Sequence, residues 1–514
     1  MQASPSARLH PRFRHKIGLA VVLAVAADVL FYGRVPGISA ALFMLLLTGS
    51  IWYANRLRFR DPAARSAMIL AVAGCLALFE NVSWLSGAFA MAGLVALAMT
   101  YHANWYRDGV RWLAVLFGFA ARAWLVPFKD ARMYRLALKK NGSTPDRKRQ
   151  LVAWVLPAGA SLVFAGLFAD ANPIISGWLA AIAEIGLPWP GHVLFWFAAA
   201  FLCWPFIRPR LRRLPRANEW RLDPTVSSMV DTLFSTGAIL RSLVIFNAIF
   251  AVQTVLDATY LWGGQSLPDG MTYAQYAHRG AYPLVAAALL AAGFVLIAMR
   301  PGSESATKPI VRVLVYAWVA QTIILVGASV LRTGLYVSVY SLTYLRVAAL
   351  VWMILVAFGL VWIVLRLVWN KSSAWLVRAN LLTAMGLLYT FCFVDVGGAV
   401  ARFNVEHSRA GAAQGFPLDL DYLEEIGPPA LPALDWYLKA AKADMWDGTT
   451  QEGRQHLTVA SLRTRLAWAL AERHRDWRAW TFRSYRLALG VAPPLTGSYE
   501  LYDKPQPDGA WAIE

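Results

Sequence analysis

The chain has 514 residues, of which 58% are hydrophobic and only 15% are charged. This balance excludes a soluble globular protein and a disordered chain, because neither keeps so much apolar sequence in water. The formal net charge is +19, but the cations lie in the connections between apolar stretches. Their placement argues against nucleic acid as a partner and indicates a lipid bilayer.

Apolar stretches of about 17 to 25 residues, the length that crosses a bilayer, recur along the chain. The first follows basic residues but no small-residue cleavage site comes after it, so it is predicted to be a retained helix and not a signal peptide. The third and fourth are separated by little more than Glu80 and Asn81, and they form a hairpin or a re-entrant pair. Eleven spans are predicted, at approximately 17–34, 37–55, 66–83, 86–103, 150–170, 189–207, 236–261, 280–299, 311–331, 347–366 and 376–396.

Two further stretches are apolar but are not predicted to cross the bilayer. Residues 109–128 carry Arg111 and Arg122 within an apolar and aromatic pattern, which favours a helix lying in the cytoplasmic interface. Residues 173–187, which lie between Pro173 and Pro188, predict a short interfacial helix on the outer face.

Lys and Arg residues concentrate in alternate connections. They precede span one and follow spans two, four, six, eight and ten, with eleven cations between Arg107 and Arg149 alone. Because cytoplasmic connections accumulate Lys and Arg, the N-terminus is predicted to be cytoplasmic. With an odd number of spans the C-terminal part is then periplasmic, and the protein is predicted to lie in the bacterial inner membrane.

From Gly397 onward the composition turns polar. We predict a transmembrane domain at residues 1–396, a helical extramembrane domain at 397–490 and a poorly ordered tail at 491–514. The fold class is therefore all-α: a polytopic transmembrane helical bundle of about eleven spans with a small helical C-terminal extramembrane domain. The helices of the extramembrane domain are predicted at 420–443 and 450–488, on either side of the turn-rich segment MWDGTT. Residues 473–486, RHRDWRAWTFRSYR, interleave arginines with aromatic residues, which favours packing against the same domain over docking on lipid headgroups.

Standard catalytic and metal-binding signatures are absent from the sequence. It contains no GxGxxG, GxxxxGK[ST], HExxH or GxSxG motif, and its eight histidines show no pairs at metal-ligand spacing. Cys75, Cys203 and Cys392 are far apart inside apolar runs. No metal, no cofactor and no catalytic residue is predicted.

Ionisable and polar residues gather where the predicted spans meet the outer face. Asp28 and Glu80 belong to spans one and three, and the later spans contribute more. Since charges near bilayer depth pair with one another or line a wet cavity, these later residues are predicted to form a ligand or partner site. The predicted site consists of Asp257, Tyr260, Tyr276, His278, Arg279, Arg332, Arg346, Asp395, Arg402 and Asn404. The alternative is that each serves packing or snorkels to the headgroups.

Three functions are compatible with this pattern. The first is a non-enzymatic membrane protein whose outer-face site binds a small ligand or a membrane or periplasmic partner protein. The second is a transporter of a small anionic or zwitterionic solute, for which mid-membrane polarity is limited to Asn247, Gln253 and Gln321. The third is a membrane enzyme that acts on a lipid-linked substrate, with Asp257, His278 or Asp395 as general base.

Several segments resemble a family of bacterial polytopic membrane proteins that is catalogued only as a domain of unknown function. A Tyr-Ala-x-x-Gly motif opens a helix in that family, and Tyr276, Ala277 and Gly280 match it. The segments ADVLFYGRVPGISAALF, SLTYLR and DVGGAVARFNVEHSR are also similar, so the resemblance covers most of the chain. It implies an all-helical membrane protein and no particular activity.

Overall fold

A computed structural model describes most of the chain. The described residues are 11–57, 60–100, 109–140, 190–209, 234–262, 304–408, 415–440 and 451–491, together with scattered residues at 157–178 and 286–299. They form helices, and the one β interaction among them is an isolated bridge between Ser408 and Phe416. The all-α prediction is therefore confirmed.

The chain divides into two compact units. Unit 1 comprises Met1–Arg216 and Asp476–Phe482, and unit 2 comprises Ala217–Arg475 and Arg483–Glu514. The division means that a short piece of the C-terminal region belongs to the N-terminal unit.

The main described helices of unit 1 surround an apolar core. The core includes Leu23, Ile51, Leu97, Phe119 and Phe206, each from a different helix. Phe119 comes from the helix predicted to lie in the cytoplasmic interface, and its neighbour Phe117 is exposed. The helices are α1 (Pro11–Phe31), α2 (Ile38–Ala54), α3 (Pro62–Glu80), α4 (Trp84–Ala98), α5 (Gly109–Ala123), α6 (Val126–Lys140) and α7 (Pro190–Ile207).

Helices α3 and α4 form the hairpin that the sequence predicts, and small residues let them approach closely. A Cβ atom on Gly74 would lie 2.4 Å from the Ala90 Cα atom, and one on Gly93 would lie 2.5 Å from the Ala71 Cα atom. The turn between the helices ends in a capping box, in which Ser83 and Ser86 exchange hydrogen bonds. Close backbone contact through small residues is the usual way in which apolar helices associate without a hydrophobic driving force.

Residues 476–482, which we call the strap, complete unit 1. The Ile38 amide donates a hydrogen bond of 2.6 Å to the Trp480 carbonyl, and the Arg478 Nε donates one of 2.8 Å to the Val29 carbonyl. The Phe79 ring stacks on Phe482 at 5.8 Å between centroids. This part of the arginine-rich segment therefore packs against its own chain.

Unit 2 holds the remaining helices. Leu243, Trp318, Leu360 and Leu376 share one apolar cluster, and the C-terminal helices surround a second cluster. A short helix also covers Glu304–Thr307. The main helices are α8 (Thr236–Leu256, continued by a π-helix at Asp257–Trp262), α9 (Pro309–Tyr340), α10 (Tyr344–Val368), α11 (Ser373–Phe391), α12 (Val396–Glu406), α13 (Leu420–Ile426), α14 (Leu431–Ala440), α15 (Gln451–Arg475) and α16 (Phe482–Gly490).

Four helices within the described ranges are long and apolar enough to cross a membrane: Pro62–Glu80, Thr236–Leu261, Pro309–Tyr340 and Tyr344–Val368. Ala374–Phe391 and Val396–Glu406 pass the same test as a pair bent by 67°, which gives five if the pair is one span. Several shorter apolar helices, such as α2 and α4, accompany them.

These helices are compatible with a membrane protein, but a count of eleven spans is not confirmed. The interfacial helix predicted at 173–187 and the tail predicted from 491 lie almost entirely outside the described residues. The segment MWDGTT lies wholly outside them.

The α3–α4 contact predicts the effect of added methyl groups. We expect Gly74→Ala and Gly93→Ala each to destabilise the protein by about 1–3 kcal/mol. The new Cβ atom would clash with backbone atoms of the facing helix, which cannot rotate away as a side chain can. Thermal unfolding of the purified protein in detergent measures this. Gly87→Ala, in α4 with open space around it, is the matched control and should leave the midpoint unchanged or raise it. Equal midpoints for all three variants would contradict the close contact.

Candidate functional site

The structure describes seven of the ten residues of the predicted site. Tyr276, His278 and Arg279 lie outside the described residues. The seven that are described all belong to unit 2. They fall into three local groups: a buried ion pair, a helix turn and an open pocket.

The buried ion pair joins Asp257 to Arg332. Their side chains are 1% and 3% exposed, and the Arg332 Nη2 atom contacts the Asp257 Oδ1 atom. Gln253, one turn earlier on α8, donates a 2.9 Å hydrogen bond to the same oxygen. Tyr260 follows in the π-helix and is half-buried. Opposite charges that are buried together compensate one another.

The helix turn connects α9 to α10 and is held by two predicted residues. The Arg346 Nη1 atom donates to the carbonyl oxygens of Tyr340 and Ser341, so a cation caps the last turn of α9. Asn404 bonds both backbone groups of Leu342, at 2.7 Å to the amide and 2.9 Å to the carbonyl. These contacts fix the turn against α12.

The open pocket lies between α12 and α14. Its volume is about 620 Å³, and Asp395 and Arg402 of the predicted site line it. Asp395 also caps α12, since its carboxylate accepts a 3.1 Å hydrogen bond from the Gly398 amide. The other lining residues are Gly398, Ala399, Val405, Glu406, Pro429, Pro432, Ala433 and Trp436.

The pocket combines both signs of charge with an aromatic surface. Arg402 Nε lies 2.7 Å from the Glu406 Oε1 atom, one helical turn away, and the Arg402 side chain is 76% exposed. An exposed pair of this kind contributes little to stability, so either partner can turn to a ligand at small cost. Trp436 is 42% exposed. Its ring offers the face on which cations bind.

The sequence did not single out Glu406 or Trp436. The spacing of Arg402 and Glu406 was a usable signal, because residues four apart on a helix are neighbours. Trp436 gave no such signal, since its approach to α12 depends on how α14 packs.

The two early acidic residues belong to unit 1. Asp28 pairs with His192, with 3.0 Å between Oδ1 and Nδ1, and the His192 ring stacks on Tyr32 at 3.6 Å between centroids. Glu80 is buried at the end of α3. His192 is a polar contact that the sequence analysis did not single out.

A family model described as "Domain of unknown function (DUF4153)" matches residues 67–437, which is more than half of the chain. This confirms the predicted resemblance, although the Tyr-Ala-x-x-Gly motif itself lies outside the described residues. No curated protein and no solved structure matches the chain.

The Asp257–Arg332 pair generates a stability prediction. We expect Asp257→Asn to cost about 3–5 kcal/mol, because it leaves a buried guanidinium without its counter-charge. The double variant Asp257→Asn/Arg332→Gln should regain a large part of this loss. Denaturation in detergent micelles measures both.

The control for the charge change is Glu424→Gln. Glu424 pairs with Arg465 at 3.0 Å, and both side chains are about half exposed. This variant should cost less than about 1 kcal/mol. If Asp257→Asn costs no more than the control, the ion pair does not hold α8 to α9.

Proposed function

This chain belongs to the DUF4153 family, and we propose that it is a bacterial inner-membrane protein that binds a small zwitterionic ligand in the pocket between α12 and α14. The observation that supports this proposal is the composition of the pocket wall. One guanidinium, two carboxylates and one exposed indole surround a space of about 620 Å³. That volume falls in the range typical of small-molecule sites, about 300–1,000 Å³.

Each part of the ligand follows from a lining group. Arg402 can exchange its contact with Glu406 for a phosphate or carboxylate, which a guanidinium binds through two parallel hydrogen bonds. An ammonium group would then lie near the carboxylates of Asp395 and Glu406 and over the Trp436 ring. We propose that the pocket binds its ligand without catalysing a reaction, because guanidinium, carboxylate and indole groups together recognise charged groups.

The position of the pocket along the chain supports a role at the membrane edge. Asp395 lies at the break between α11, the apolar first half of the bent helix pair, and α12, its second half. A ligand here is therefore either a lipid headgroup or a free solute of the same chemistry. The shared chemistry is an ammonium group linked to an anionic group.

Binding is tested with O-phosphoethanolamine as the probe. We expect saturable binding by isothermal titration calorimetry to the full chain in nanodiscs of phosphatidylglycerol, and at least tenfold weaker binding by Arg402→Gln and Trp436→Ala. Arg465→Gln, which removes the same charge elsewhere in unit 2, should bind as the parent does. Equal binding by Arg402→Gln and the parent would exclude this pocket.

Two further arms identify the source of the ligand. Glycerol 3-phosphate, which lacks the ammonium group, should bind more weakly than O-phosphoethanolamine. If a lipid headgroup is the natural occupant, nanodiscs that contain phosphatidylethanolamine should suppress binding of the soluble probe. If a free solute is the occupant, both nanodiscs should give the same affinity.

The proposed orientation places the N-terminus in the cytoplasm and the pocket on the periplasmic side. Fusion of a reporter that is active only in the periplasm after Glu514 should then give signal, and a matching cytoplasmic reporter should give none. The opposite result would move the pocket to the cytoplasmic side. A second fusion, after Lys371, is expected to give the cytoplasmic signal, since Arg366, Lys371 and Arg378 mark a cation-rich connection.

A further inference from the structure

A line of polar side chains follows the interface between α8 and α9. We call it the polar seam, and it consists of Asn247, Gln253 and Asp257 on α8 and Trp318, Gln321 and Arg332 on α9. Its contacts extend from Leu243 and Leu314 to Asp257 and Arg332.

The partnered groups tie the two helices together. Asn247 Nδ2 donates to the Leu243 carbonyl at 2.7 Å and to the Leu314 carbonyl of α9 at 3.1 Å. Gln321 Nε2 approaches the Asn247 Oδ1 atom at 3.5 Å. Further along, Arg332 and Gln253 both contact Asp257. The mid-helix amides and the ion pair thus belong to one interface.

The seam reaches deep into the apolar part of the helices. With a rise of about 1.5 Å per residue, Gln321 lies roughly 16 Å along α9 from Arg332. This distance is about half the thickness of a bilayer's hydrocarbon core, which is about 30 Å. The seam therefore connects the C-terminal part of α9 with its middle.

Some buried polar atoms in the seam have no hydrogen-bond partner within the described structure. They include Trp318 Nε1, Gln321 Oε1 and Asp257 Oδ2. Trp318 is 3% exposed and Asp257 is 1% exposed, so neither side chain lies on the outer surface of the helices. In hydrocarbon an unpartnered polar atom is strongly unfavourable, and a partner must come from inside the protein.

One donor and two acceptors, spread along the interface between α8 and α9, match what water supplies. A water molecule accepts from an indole N–H and donates to amide and carboxylate oxygens, and buried waters in proteins occupy polar sites of this kind. An apolar ligand would satisfy none of the three atoms. The opposite charges of Asp257 and Arg332 compensate one another, so the ion pair does not demand a charged ligand.

From these contacts we infer that the polar seam is a hydrated cleft, in which water molecules reach from the Asp257–Arg332 pair to the Asn247–Gln321 contact. Such a cleft gives small, neutral, hydrogen-bonding solutes a polar route into the middle of the helices. Intramembrane polar groups that line a wet cavity are typical of solute pathways. This inference does not depend on the pocket between α12 and α14.

Substituted-cysteine labelling tests the hydration directly. The reagent is 2-aminoethyl methanethiosulfonate, whose charged form reacts with thiolates in contact with water. The native cysteines Cys75, Cys203 and Cys392 are 3–5% exposed. The full chain in nanodiscs carries Gln321→Cys in the seam or Ile324→Cys on the same helix, where Ile324 is 37% exposed on the apolar surface.

We expect Gln321→Cys to react at least tenfold faster than Ile324→Cys, although it replaces a more buried side chain. Ala399→Cys, on the exposed wall of the pocket, reports the rate at a fully accessible position. Equal rates for Gln321→Cys and Ile324→Cys would overturn the inference. Comparison of unfolding midpoints identifies any variant that has not kept its fold.

Hydroxyl-radical footprinting of the unaltered chain gives a second, mutation-free measurement. X-rays generate the radicals from water itself, so a buried side chain is oxidised only when water lies beside it. We expect oxidation of Trp318 and none of Met353, which is equally buried at 3% in the same apolar cluster and carries a reactive sulfur. Absence of oxidation at Trp318 would overturn the inference, even if the labelling rates agreed with it.

Discussion

Polar groups inside an apolar helical assembly must find their partners within the protein, and this constraint explains most of the polar contacts described above. Hydroxyl groups satisfy this constraint within their own helix. Thr48, Thr254, Thr322, Ser329 and Thr333 each donate to the carbonyl one turn earlier on their own helix. Longer side chains satisfy the constraint by bonding to a neighbouring helix, as Asn247 and Arg332 do. The seam is an exception, because some of its buried polar atoms have no partner within the described structure.

The sequence predicted the helical class and several helix positions well, because bilayer-length apolar runs carry a strong signal. Span ten was predicted at 347–366, and α10 occupies Tyr344–Val368. Span nine was predicted to end at 331, whereas α9 continues to Tyr340. A hydropathy pattern detects the hydrocarbon-length part of a helix, and α9 contains no proline after Pro309 and continues until Ser341, where φ is positive. Helix α12 was not predicted, because its 11 residues are too few for a separate span and its start depends on the Asp395 cap.

Part of the candidate site could likewise be predicted from the sequence, and the rest depends on tertiary packing. Helix ends can be located in sequence, so Asp395 and Arg402 were predicted together and both line the pocket. Partners that are distant in sequence cannot be assigned from it. Asp257 and Arg332 were both predicted for the site, but their direct contact across 75 residues follows only from the parallel packing of α8 and α9. Trp436 required the packing of α14 against α12.

The strap also bears on the order of synthesis. Arg478 and Val29, which it joins, are 449 residues apart in sequence. A ribosome releases the N-terminal helices long before it makes residues 476–482, so the Ile38 amide has no access to its acceptor until the strap has been synthesised. Contacts of such long sequence separation form late in folding. A chain that terminates before the strap therefore leaves the first unit unfinished, however completely its own helices have been made.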